Sequence, residues 1–156
     1  MDAFEFRRIM GHWSTGVAVV ATRRGERPWG LTANAFASVS LDPPLVLVCV
    51  DLGADTHDPL RDAGLFAVSI LAADQERLAR RFAAWDVEDK FDGVAWREEA
   101  TGAPVLEGAV AWLDCRLWAH FPAGDHTIFV GQVVAGDAAE HAPLLYFRGG
   151  YSQHGS

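Results

Sequence analysis

Cysteine is scarce in this chain: only Cys49 and Cys115 occur among 156 residues. They lie in separate apolar runs without C-x-x-C spacing. That excludes a disulfide framework and a zinc site, and two buried free thiols are expected. Cations are few as well, 13 Lys and Arg against 21 Asp and Glu, for a formal charge of -8. An electrostatic nucleic-acid binder needs clustered cations against phosphate, so that class is set aside. No apolar run reaches the roughly 18–20 residues of a membrane span. Residues 1–5 are acidic and lack an apolar segment, so no secretory leader is expected. The reading is a soluble, cytoplasmic chain.

Conventional catalytic hardware is also missing. No G-x-G-x-x-G follows a strand and no G-x-x-x-x-G-K-[ST] occurs, which excludes Rossmann and P-loop phosphate cradles. There is no G-x-S-x-G elbow and no His/Cys/Glu group at metal spacing. A chain this bare suits chemistry carried by a cofactor, with the protein supplying binding and orientation.

What is present is a length and an apolar share, 50%, sufficient for one domain over residues 1–156 with a real core. Asp2-Ala3-Phe4-Glu5 reads as a capping box, followed by Phe6, Ile9, Met10 and Trp13 at helical spacing, with Gly16 closing the pattern. Residues 17–22, 29–32, 45–50, 65–71, 110–121, 126–134 and 144–147 read as strands. The 45–50 strand is wholly apolar, which suits burial on both faces or a barrel wall. Thr56 caps a short helix that Gly64 stops, and Asp74 caps another running through Trp85 with Leu78, Phe82 and Trp85 inward. Gly149-Gly150 ends the last strand. Strands dominate, turns are close together, and helices do not alternate regularly with strands. The fold class expected is mainly β with a few helices, a small closed or split β-barrel.

The most informative stretch is residues 30–50, GLTANAFASVSLDPPLVLVCV. Ala33, Ala35 and Ala37 leave room for a flat ring, while Thr32, Asn34, Ser38 and Ser40 supply donors and acceptors. The same residue types also make a plain polar turn, with Asn34 closing an Asx-turn.

This run resembles the signature of the short-chain flavin reductases, which are the reductase components of two-component flavin-dependent monooxygenases. Further motifs follow in the family's order: Cys49-Val50, Thr56, Phe66-Ala67-Val68-Ser69-Ile70-Leu71, Leu78-Ala79-Arg80-Arg81-Phe82-Ala83, Asp89-Lys90-Phe91, Gly124-Asp125-His126 and the end from Pro143 to Tyr151. The resemblance spans about residues 9–151.

It implies an FMN-binding split β-barrel that transfers hydride from NADH or NADPH to FMN or FAD, with reduced flavin passing to a separate monooxygenase. Thr32, Ala33, Asn34 and Ala35, with Ser38, Val39 and Ser40, would line the ring and ribityl chain. Cys49, Val50 and Asp51 would continue that wall. Thr56 would meet the flavin phosphate through its hydroxyl and neighbouring N–H groups. Lys90 would add a cation there, with Phe91 beside it. Tyr151 would cover the flavin or touch a partner subunit. His126, the catalytic-site candidate, would stand at the nicotinamide pocket. Its family forms homodimers. An alternative on the same barrel is a non-catalytic flavin-binding protein, against which Gly124-Asp125-His126 argues. A split-barrel oxidase of phosphorylated pyridines would need a basic phosphate cluster that the sequence lacks.

Overall fold

A computed structural model describes residues 1–154. Along the chain run α1 (Ala3–Met10), β1 (Thr15–Gly16), β2 (Ala18–Arg24), β3 (Arg27–Ala33), β4 (Phe36–Leu41), β5 (Pro44–Asp51) and α2 (His57–Ala63). Then follow β6 (Leu65–Ile70), α3 (Glu76–Ala83), β7 (Trp96–Glu98), β8 (Pro104–Leu106), β9 (Ala111–Ala123), β10 (His126–Ala138), β11 (Leu144–Phe147) and β12 (Gly150–Gln153).

Seven strands form one antiparallel sheet in the order β3-β2-β6-β9-β10-β5-β4. Its two edge strands, β3 and β4, are neighbours in the chain, joined only by Asn34 and Ala35. Laid flat, seven strands would put those edges roughly 29 Å apart. The link from Ala33 to Phe36 reaches about 11 Å at most. The sheet therefore has to curl until its edges meet, which makes a barrel. One bond, Cys49 N–H to the Ala35 carbonyl at 3.0 Å, ties the link to β5. No ladder joins β3 to β4 or β5 among the described residues. That unzipped seam is the split in the barrel.

Side chains from every wall fill the interior: Ala18 and Val20, Val46, Val48 and Val50, Phe66 and Val68, Cys115 and Phe129, with Leu60 of α2 plugging one end. Full burial of each large apolar side chain stabilises the fold by roughly 1.5–3 kcal/mol. Gly131 lets Phe66 enter: a Cβ there would lie 2.4 Å from the phenyl Cζ. β2 is buried on both faces. Its other face, Val19 and Ala21, packs with the preceding Val17 under Ala79 and Phe82 of α3 and against Leu71, Leu106 and Leu144.

Several local expectations change. Asp2 does cap α1, accepting from the Glu5 N–H at 2.8 Å, but Glu5 turns to Arg8 instead of closing the box. Gly11, not Gly16, ends α1, and Gly16 begins the sheet with β11. α3 has Gln75 at its N-cap position rather than Asp74, and it stops at Ala83. Trp85 is therefore off the helix and 92% exposed, not core. Of the two alternatives for β5, the barrel wall holds, with alternate residues buried rather than both faces. β11 is not the last strand: the chain turns after it, with Arg148 and Gly149 at positive φ, into β12. The strand β4 was hidden within the small-residue run.

Candidate active site

The seam opens into a cavity of about 560 Å³. Three segments supply its walls. β3 and the link give Leu31, Thr32, Ala33, Asn34 and Ala35. The end of β5 and the loop into α2 give Cys49, Asp51, Gly53, Ala54, Asp55 and Thr56. The end of α3 and the following loop give Phe82, Ala83, Ala84, Trp85 and Lys90, and His126 stands on the rim.

Each wall is held from behind. The Thr32 hydroxyl donates to the Ala79 carbonyl at 2.6 Å, fastening β3 to α3. Asp51 accepts from the Gly53 N–H at 2.7 Å, which shapes the turn after β5. Gly30 sits beneath Phe82 and Phe91, where a Cβ would come within 3.0 to 3.1 Å of both rings. The Lys90 loop is organised by Arg81, whose guanidinium donates to the carbonyls of Lys90 at 2.7 Å, Asp89 at 2.9 Å and Asp92 at 3.0 Å.

The polar groups divide by what they have left to offer. The Asn34 amide is exposed and makes no hydrogen bond with a described residue. Thr56 is 2% exposed, and its hydroxyl likewise has no described partner, although it borders the cavity. A nearly buried hydroxyl at a cavity wall suits an oxyanion acceptor. The N–H of His57 is already committed to the Ala54 carbonyl at 3.0 Å, so the expected help from that backbone group is absent. Lys90 donates one of its three N–H bonds to the Phe82 carbonyl at 3.1 Å. Burial pushes its pKa below the ordinary lysine value, with the nearby Asp55 charge opposing. Cys49 is a free thiol whose pKa burial raises, so at neutral pH it is a small uncharged wall.

His126 opens β10, directly across from Asp51 on β5. Its Nδ1 lies 2.7 Å from the Asp125 carboxylate, and that bond lowers the Asp125 pKa. A carboxylate only accepts, so Nδ1 carries the proton and Nε2 is left to a ligand. His57 is buried. It bridges Asp58 at 2.8 Å and the Thr127 hydroxyl at 2.7 Å, with its ring edge-on to Phe129.

The structure thus brings Thr32, Ala33, Asn34, Ala35, Cys49, Asp51, Thr56, Lys90 and His126 to one cavity. Six candidates lie elsewhere. Val50 is 0% exposed and points into the barrel, because strand residues alternate and its neighbours Cys49 and Asp51 take the cavity side. Ser38, Val39 and Ser40 are on the edge strand β4, outside the cavity. Phe91 is 7% exposed and packs edge-on against Phe82 at 4.9 Å, so it is core, with only its rim bordering an adjacent depression. Tyr151 packs on Tyr146 at 5.3 Å under the Arg80 guanidinium, away from the seam. Gly53, Ala54, Asp55 and Trp85 were not foreseen. The turn signal Gly53-Ala54-Asp55 after a strand was the available pointer to the first three.

A family model described as the flavin reductase like domain matches residues 10–155. An NADH-dependent FAD reductase of Streptomyces globisporus is 45% identical over 153 residues, 96% of this chain and 84% of the relative. The reductase subunit HsaB of a flavin-dependent monooxygenase from Rhodococcus jostii is 36% identical over 153 residues, 97% of this chain and 78% of its own. The solved structure of the flavin reductase PheA2 in its native state aligns with a TM-score of 0.93 at 40% identity, covering 100% of both chains.

Proposed function

This chain belongs to the flavin reductase like domain family, and on that premise we propose that it is an NADH:flavin oxidoreductase whose reduced flavin leaves for a separate monooxygenase. The observation that carries the reading is the seam cavity, which gathers Thr32, Ala33, Asn34, Ala35, Cys49, Asp51, Thr56, Lys90 and His126 from four stretches of chain. The names of the relatives support NADH as donor, FMN or FAD as acceptor, and a monooxygenase as consumer.

The residues present fit such ligands. Ala33, Ala35 and Ala54 leave a slot without bulky side chains, and the Asn34 amide is free to bond a polar ring edge. The Thr56 hydroxyl and the Lys90 ammonium face the same cavity and suit a phosphate. Bound flavin and dihydronicotinamide supply the chemistry: hydride from C4 and a proton from solvent convert NADH and oxidised flavin into NAD⁺ and reduced flavin. The chain's part is to hold one flat ring at the seam and leave its open face to the second, which turns a bimolecular encounter into an oriented one. His126, fixed by Asp125, offers Nε2 to the donor's carboxamide. The cavity is not sealed, since Asn34 and Ala35 of its lining are exposed, which suits a flavin that must depart. A non-catalytic binder would have no use for that oriented imidazole.

The chain is further proposed to work as a homodimer in the cytoplasm. α1 presents Phe6, Ile9 and Met10 at 56%, 42% and 49% exposure, an apolar face at helical spacing that a second copy would bury. The free thiols suit a reducing compartment. Among the described residues no helix is long and apolar enough to cross a membrane.

Steady-state oxidation of NADH and NADPH with excess FMN or FAD tests the function. Turnover with at least one pair is expected, with NADH preferred. Flavin binding without turnover would return the chain to the class of flavin carriers.

A further inference from the structure

We propose that the depression beside the seam cavity is a subsite for the adenosine half of FAD, so that this chain selects FAD over FMN. The inference rests on the flavin reading above and deepens it. The depression has a volume of about 550 Å³ and shares Asp55 and Trp85 with the seam cavity. A third hollow, which Thr56 and Lys90 also border, runs along Trp29 and Arg27 to join the two. A ligand whose phosphate lies at Thr56 and Lys90 therefore has a continuous path onward.

The lining matches a nucleoside better than it matches a phosphate. Trp85 stands 92% exposed on the boundary of both cavities, an indole face with nothing packed over it. The Arg27 guanidinium lies 3.8 Å over the Trp29 ring and makes no ion pair with a described residue. Flat cationic and indole surfaces of this kind stack on purines. Around them stand the carboxylates of Asp55, Asp86 and Glu88. Carboxylates accept from a ribose diol and from the adenine amino group.

Net charge does not separate the two flavins, because the phosphomonoester of FMN and the pyrophosphate of FAD each carry about two negative charges. What FAD adds is a neutral adenosine, which meets the carboxylates and the exposed Trp85 indole. That indole rewards only the ligand that carries adenine.

Fluorescence titration of the full chain with FMN and with FAD tests this, in wild type, Trp85→Ala and Trp85→Phe. Wild type should bind FAD about tenfold more tightly than FMN, the size of one base–aromatic stack. Trp85→Ala should bring the ratio close to one by weakening FAD, and Trp85→Phe should restore most of it. Equal affinities in wild type would overturn the proposal, as would a Trp85→Ala loss shared equally by both flavins. A raised KM for NADH with an unchanged FAD-to-FMN ratio would overturn it too, placing the indole against the pyridine dinucleotide. Failure of both flavins to bind would sink the flavin reading itself, whereas FMN turnover without FAD preference would remove only the adenosine subsite.

Discussion

The first and second halves of the run from Gly30 to Leu41 have the same kinds of residue and opposite surroundings. Thr32, Ala33, Asn34 and Ala35 line the seam cavity. Ser38 and Val39 are exposed and Ser40 half-buried on β4, which pairs only with β5. Composition does not separate them, but the path of the chain does. At Asn34 and Ala35 the backbone leaves one edge of the sheet and crosses to the other, so consecutive small residues all border the gap. From Phe36 onward it is a strand laddered to β5, with one register shift between Ser38 and Ser40, and the gap is behind it. Small and polar side chains border the cavity here only where hydrogen bonding between strands is interrupted.

Four substitutions break or sharpen that contrast. The largest effect is expected from Ala35→Tyr, which fills the slot and should weaken flavin binding more than about 100-fold in a fluorescence titration, with circular dichroism unchanged. His126→Ala comes next. It removes one hydrogen bond from the rim and should raise the KM for NADH about tenfold, leaving flavin affinity within about twofold. An equal loss of both would make His126 a structural group. Thr32→Val breaks the 2.6 Å bond to Ala79 behind the wall. Urea unfolding should show a loss of about 1 kcal/mol, the value of one such bond. The smallest effect is expected from Ser38→Tyr, which should leave flavin affinity within about twofold, since added bulk on β4 meets solvent. Loss of binding in that variant would mean that the second half belongs to a site completed by another copy of the chain.

The family resemblance named the fold, and the structure bears it out as a mainly β split barrel. Residue patterns alone located β2, β5, β6, β9 and β10, because apolar strands leave a strong signal. They did not reveal β4, most of whose residues are exposed and whose Ala-Ser-Val-Ser stretch continues the run of small and polar residues. They also treated Cys49, Val50 and Asp51 as one continuous wall, where the two-residue period of a strand sends Val50 to the core and its neighbours to the cavity. Phe91 and Lys90 divide similarly: one is clamped on Phe82 and the other reaches the cavity. Trp85 looked like the next inward residue of α3, but the helix ends at Ala83. Where a helix stops decides which way its next aromatic turns, and no cap residue in the sequence marked that end.

Anaerobic reduction, followed by the loss of visible flavin colour on adding NADH, tests most directly that the seam holds the reacting ring. Wild type should bleach the flavin completely at stoichiometric NADH, and Ala35→Tyr should leave it yellow on the same timescale. Bleaching at the same rate in both proteins would contradict the account.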